Sequence, residues 1–288
     1  MKILKYLVPY IVLGSLQYKF TKDGLGYASP FVFMSLRYLI GGSILLPFAK
    51  KIMINKDILI LTLLTVTSSA LWAIGLTYVD PSESAVLSYT MPLFSIPIAF
   101  FVVKEKLRLF EIIGAIVGFA GVAIYGLSLS ARLSLLGSLL TIINAVFWAS
   151  FTVYYRKIKN LDPLVVNSSQ LLLGSLIFLV LTPFDFRLVS SLNFLGDLLF
   201  SAILGGGVLF YLWNLMLRVE KVGKVTVMAF SVPISSSVID EVTGEIQLNL
   251  ESYLGLVVMV AGILLSRKDE FFHRKKIRLE NSDQKYKL

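Results

Sequence analysis

Residues 82–106 read SESAVLSYTMPLFSIPIAFFVVKEK and residues 223–245 read GKVTVMAFSVPISSSVIDEVTGE. Each is an apolar run with a proline near its middle, Pro92 or Pro233, and a glutamate just past its end, Glu105 or Glu245. The two prolines lie 141 residues apart, as do Trp72 and Trp213, Gly114 and Gly255, and Gly121 and Gly262. Matches at one offset among scarce residue types mark an internal repeat. Earlier in the chain the offset is 133, joining Pro30 to Pro163, Arg37 to Gln170 and Gly41 to Gly174. The loop between absorbs the difference.

Working outward from these runs, the 288 residues are 56% hydrophobic and 16% charged, with a mean hydropathy of +0.79. That balance belongs to a membrane protein. At roughly 20 residues per crossing, ten spans fit, near 4–20, 30–49, 57–77, 82–103, 109–127, 134–154, 164–182, 195–217, 223–243 and 252–266. No separate soluble catalytic domain fits beside them. The first run begins like a signal peptide, with Lys2 and Lys5 ahead of apolar residues, but Gln17, Tyr18 and Lys19 follow in place of a cleavage site, so it reads as a span. The expected domains are residues 1–131, residues 132–266 and a basic tail, residues 267–288.

Basic residues orient this arrangement. Of the 27, twenty-two fall on the side of the N-terminus, four (Lys19, Lys22, Arg132 and Arg187) fall on the other, and Arg37 lies within a span. Such a bias is what the positive-inside rule produces when the span count is right, and it places both ends of the chain in the cytoplasm of a cell-membrane protein. It also accounts for the net charge of +9 without a nucleic-acid partner. Five spans per repeat is an odd number, so the two halves enter the bilayer from opposite faces. Inverted repeats of this kind are the architecture of secondary transporters. The expected fold is all-α, with ten transmembrane helices in two inverted five-helix repeats.

Cysteine is absent and the single histidine, His273, is in the tail. Thiol catalysis, disulfides, thiolate metal sites and histidine triads are excluded, no metal or other cofactor is called for, and no protease pair or nucleophile elbow is present. The reading is not an enzyme. A membrane scaffold or receptor that keeps the repeats is the alternative to a carrier.

The arrangement resembles the EamA-type branch of the drug/metabolite transporter superfamily, ten-span carriers built of two EamA repeats. The residues that carry the likeness are Pro30, Arg37, Gly41, Pro92, Lys104-Glu105-Lys106, Gly114 and Gly121 in the first half, and Pro163, Trp213, Pro233, Gly244-Glu245, Gly255 and Gly262 in the second. The halves depart from one another in two places: Pro233 to Glu245 is one residue shorter than Pro92 to Glu105, and Asp240-Glu241 stand where the first half has Ala99-Phe100. The resemblance implies carriage of a small metabolite, often export of amino acids or amphipathic compounds and often proton-coupled. It places spans one, three, four, six, eight and nine around the cavity.

Candidate residues follow. Pro92, Pro97 and Pro233 interrupt their helices and leave carbonyls, at Ser88 and Ala229 for Pro92 and Pro233, that must face protein or a wet cavity. Trp72, Tyr78, Tyr89, Trp148, Tyr211 and Trp213 are the aromatic candidates for substrate contact, and Asn144 and Asn214 the polar ones, although Trp and Tyr also gather at membrane interfaces. Arg37 is too deep in span two to go without an acceptor, whether a substrate carboxylate or freed carbonyls. Asp240 and Glu241 are the acids available for proton coupling, unless they form a solvated pair at the end of span nine. Gly114, Gly118 and Gly121 give span five a smooth face for close helix packing, which the resemblance extends to a possible homodimer. The tail, with Phe271, Phe272 and Ile277 among its charges, suits a solvated segment or an interfacial helix. The partners expected are the lipid bilayer and a small-molecule substrate.

Overall fold

The computed structural model describes residues 3–106, 108–128, 134–244 and 246–268. Arg132, Glu245 and nearly all of the tail lie outside the described residues.

Among the described residues ten helical rods follow one another. The first four are Leu4–Tyr27, Pro30–Ala49, Lys56–Tyr78 and Pro81–Val102. Leu109–Ser128, Leu135–Lys157 and Pro163–Leu181 come next, then Leu192–Val219, Val222–Val242 and Leu250–Ser266. They are called spans one to ten. Eight of them are long and apolar enough to cross a bilayer; span ten is apolar but has only 17 residues, and span one carries Lys5, Lys19, Lys22 and Asp23. Span one is 24 residues long and runs to Tyr27, well past the apolar run that announces it, because its polar residues stay within the helical pattern, Lys19 pairing with Asp23 one turn on at 3.8 Å.

The starts are written in short local signals. Asn55, Ser134, Asp162, Ser191 and Asn249 each accept a hydrogen bond from a backbone N–H of the first turn that follows. Pro30, Pro81 and Pro163 occupy first-turn positions where no N–H is needed. At the start of span four the Glu83 carboxylate accepts from the Asp80 N–H at 3.2 Å.

Spans two and seven pack together, as do five and ten, three and six, and one and eight. Matched contacts reveal the symmetry. Ser35 donates to the carbonyl of Ser175, and Ser168 to the carbonyl of Gly42; shifting the first bond by 133 residues gives the second with its partners exchanged. Likewise a Cβ on Gly114 would meet the Gly262 carbonyl at 2.6 Å, and one on Gly121 the Gly255 carbonyl at 2.6 Å. Only antiparallel copies related by a two-fold axis make such reciprocal pairs. The glycine face of span five is therefore occupied from within the same chain, by span ten at Gly114 and Gly121 and by Phe230 at Gly118.

Large apolar side chains point outward all round, among them Val12, Leu63, Phe101, Ile116, Leu179 and Val257. A surface of this kind needs lipid. Two of the few cations on the face opposite the termini cap helix ends. Lys22 donates to Leu76 and Val79 carbonyls at 2.7 and 2.9 Å, and Arg187 to those of Leu25 and Gly26 at 2.7 and 2.8 Å.

Candidate functional site

Both central helices are broken. Span four stops at Ser88 and restarts at Met91; span nine stops at Met228 and restarts at Ser231. The carbonyls answered by side chains at the breaks are those of Leu87 and Met228, one residue before the expected pair. Thr90 Oγ1 donates to Leu87 at 2.8 Å and Ser231 Oγ to Met228 at 3.0 Å, again a matched couple. A third irregularity had no herald. Within span eight, Phe200–Val208 forms a π-helix around Gly205-Gly206-Gly207. Wide turns of this sort concentrate at functional sites.

A cavity of about 60 Å³ lies at this level, midway along the helices. Span one gives Tyr10, Gln17 and Tyr18; span two gives Arg37; span three Ser68, Ser69 and Trp72; span four Ser88, Tyr89 and Met91. Asn144 and Trp148 come from span six, and Gly205, Leu209 and Phe210 from span eight. Its polar wall is ordered by Asn144, whose Oδ1 accepts from Ser68 Oγ at 2.6 Å while Nδ2 donates to Ser88 Oγ at 3.4 Å. Tyr10 and Tyr89 share a hydroxyl contact of 3.2 Å.

Arg37 is 3% exposed and held by the irregular turn. Its Nε donates to the Ser201 carbonyl at 2.9 Å, and Nη2 donates to the Gly205 carbonyl at 2.8 Å and Gln17 Oε1 at 3.2 Å. Close approach of spans two and eight is possible because residue 41 is glycine: a Cβ there would meet the Ala202 carbonyl at 2.7 Å. Gln170, its counterpart in the repeat, donates to Asn167 Oδ1 at 2.8 Å, and Asn214 donates to the same oxygen at 2.9 Å. The shared polar slot thus holds a cation in one half and a cluster of amides in the other.

The candidates divide. Trp72, Tyr89, Asn144 and Trp148 border the cavity with Arg37. Trp213 is buried just beyond it, 5.1 Å from the Tyr10 ring and 6.0 Å from the Trp148 ring, with its indole N–H on Thr152 Oγ1 at 3.1 Å. Asn214 sits in the amide cluster, Tyr211 is partly exposed on span eight, and Tyr78 is 50% exposed at the end of span three. Pro92 adjoins the wall residue Met91, with Pro97 further along the same helix, whereas the break near Pro233 is packed against spans one and five. Ser15 donates to the Val232 carbonyl at 3.3 Å, and Phe230 covers Gly118. Span nine accordingly contributes no side chain to the cavity and span two does. Asp240 and Glu241, neighbours in sequence, part company. Asp240 is 2% exposed, next to Ser82 of span four, with Oδ2 unpartnered; Glu241 accepts from the Tyr253 hydroxyl near the surface at 2.5 Å.

Sequence reading passed over Tyr10, Gln17 and Tyr18. Their spacing of seven and eight residues sets one helical face, a signal that could have been used. Gly205, Leu209 and Phe210 offered no signal without the π-turn.

Towards the face that carries the termini, the cavity is closed. Trp148, Phe151, Phe210 and Trp213 form its floor, with ring centroids 5.0–6.0 Å apart from Trp148. Beyond it Arg156 Nε meets Glu105 Oε1 at 2.7 Å and Nη1 donates to the Leu217 carbonyl, while Glu105 Oε2 accepts the Val222 N–H at 2.9 Å. One carboxylate thereby ties spans four, six and nine together.

The model of the EamA-like transporter family matches residues 7–127 and again residues 135–267. The chain belongs to the EamA-like transporter family. It is 53% identical over 245 residues to an uncharacterized transporter in the sor 3' region of Acidianus ambivalens, an alignment covering 85% of this chain and 96% of that one. It is 25% identical over 293 residues to the uncharacterized transporter YoaV of Bacillus subtilis, covering 96% and 99%. A crystal structure at 18% identity superposes with a TM-score of 0.79 over 92% of this chain and 96% of that one, a likeness of fold. An EamA-like chain is a multi-pass membrane protein of transporter type, and its two matched segments each hold five of the spans described above.

Proposed function

We propose that this chain is a secondary active transporter that exports a small organic solute from the cell by alternating access. The observation that supports it best is the cavity, which lies between two inverted halves at the break in span four and is shut on one side by the floor and the Glu105–Arg156 tie. Rocking the halves about their two-fold axis exchanges which side is shut. On this reading the basic face, with both ends of the chain, is cytoplasmic, and the bilayer is the cell membrane. Trp72, Tyr89, Asn144 and Trp148 contact the solute. Asp240 carries the coupling proton, because a carboxyl group buried with a bare oxygen is least costly when neutral. Export is the direction the family resemblance implies.

The chain has no cysteine, so Ser88→Cys places a single thiol in the cavity wall. Alternating access predicts reaction with a membrane-impermeant maleimide from either face of the membrane. A scaffold or receptor would react from one face at most, and that result would overturn the proposal.

A further inference from the structure

Arg37 brings a full positive charge to the cavity, and no carboxylate answers it there. Neither Asp nor Glu is among the lining residues, and among the described residues no acid lies within ion-pair distance of it. Neutral acceptors hold Nε and Nη2, but Nη1 reaches only the thioether of Met34, at 3.7 Å. The Trp72 ring lies 5.2 Å from the guanidinium carbon, and its indole N–H, buried at the cavity wall, has no acceptor. A buried cation with a spare donor beside an orphan N–H is an arrangement that suits an anion.

The charge is not a requirement of packing. Gln170 occupies the same slot of the second repeat with a neutral amide. The cavity is small, about 60 Å³, which suits a ligand of few heavy atoms. Among the described residues no carboxylate lines the cavity to receive an ammonium group.

We propose that the cavity takes a small organic monoanion, a short-chain carboxylate, with Arg37 as its counter-charge and the Nη1 and Trp72 N–H groups as its donors. This deepens the carrier reading and rests on it. Binding makes the complex neutral, the form that a midplane site favours. The π-turn then has a role as well: the Ser201 and Gly205 carbonyls fix the guanidinium from behind and leave its remaining edge to the ligand.

Lactate, alanine, lactamide and alaninamide are alike in size and differ in charge, and they make the test. All three tryptophans are in or beside the cavity, so intrinsic fluorescence of the purified chain reports binding, and counterflow in proteoliposomes reports movement. Lactate is expected to bind and exchange about tenfold better than lactamide or alaninamide, the effect of one charge-assisted hydrogen bond. It should also exceed alanine. Arg37→Gln should abolish the preference, and Arg37→Lys should keep part of it; if the glutamine variant does not fold, the wild-type preference and the lysine variant decide. Equal response to alanine or lactamide, or an anion preference that survives Arg37→Gln, would overturn the assignment. So would failure of all four probes with a Ser88→Cys chain that reacts from both faces, an outcome that leaves the carrier reading standing. Reaction from one face only removes the carrier reading itself.

Discussion

The two ends of the central helix pair are the same place in the repeat, built with opposite means. At the basic end Glu105 binds Arg156 and the Val222 N–H, and Lys224 pairs with Glu220 at 2.7 Å. At the far end Asp240 packs beside Ser82, Ser237 donates to Tyr125 at 3.0 Å, and the hydroxyls of Ser84 and Ser236 find no partner. Applying the repeat offset, Ser82 corresponds to Gly223, Glu83 to Lys224 and Asp240 to Ala99. The duplicated frame has kept its helices and exchanged its end chemistry. The Glu105–Arg156 pair ties the basic end, whereas the far end sets a buried acid beside serine hydroxyls.

Mutations can break or sharpen this contrast. Glu105→Ala leaves Arg156 partly buried and unpaired, and should cost about 3 kcal/mol. Thermal unfolding would register the loss, and the Ser88 thiol should react faster from the basic face. Gly121→Ala and Gly262→Ala place a methyl group against backbone across the five–ten contact, and each should cost roughly 1–3 kcal/mol by overpacking. Unequal losses in unfolding experiments would argue against the two-fold. Ser35→Ala and Ser168→Ala remove reciprocal hydrogen bonds, and each should lower stability by about 0.6 kcal/mol. Asp240→Asn should leave unfolding almost unchanged. Its signature is functional: solute exchange without a gradient persists while uptake driven by a pH gradient is lost, and pH-driven uptake equal to wild type would exclude Asp240 as the coupling group.

Which of these features could be read in the sequence follows from their physics. Trp, Pro and Gly at fixed offsets expose the repeat because each has a backbone or packing role that few substitutes fill. Pro92 and Pro233 announce their breaks through a missing donor. By contrast, the π-turn of span eight contains no residue that forbids an α-helix, and it is set by its neighbours, with Gly41 and Arg37 pressed against it. Arg37's acceptors are mostly backbone carbonyls, which every residue possesses, so no pattern names them. Span one hid its share of the cavity because Gln17 and Tyr18 mark the end of its apolar run and draw attention as a boundary. Asp240 and Glu241 read as a pair, but successive residues on a helix point about 100° apart, and only the first turns inward.

Spin labels on the cysteine-free chain give the most direct trial of alternating access. One pair at Lys106 and Arg218 spans the basic end; another at Tyr78 and Thr243 spans the far end. In lipid, each pair should show two distances whose populations move in opposite senses when solute or pH is changed, the basic end opening as the far end closes. One unchanging distance at both ends would contradict a cavity exposed by turns to the two sides of the membrane.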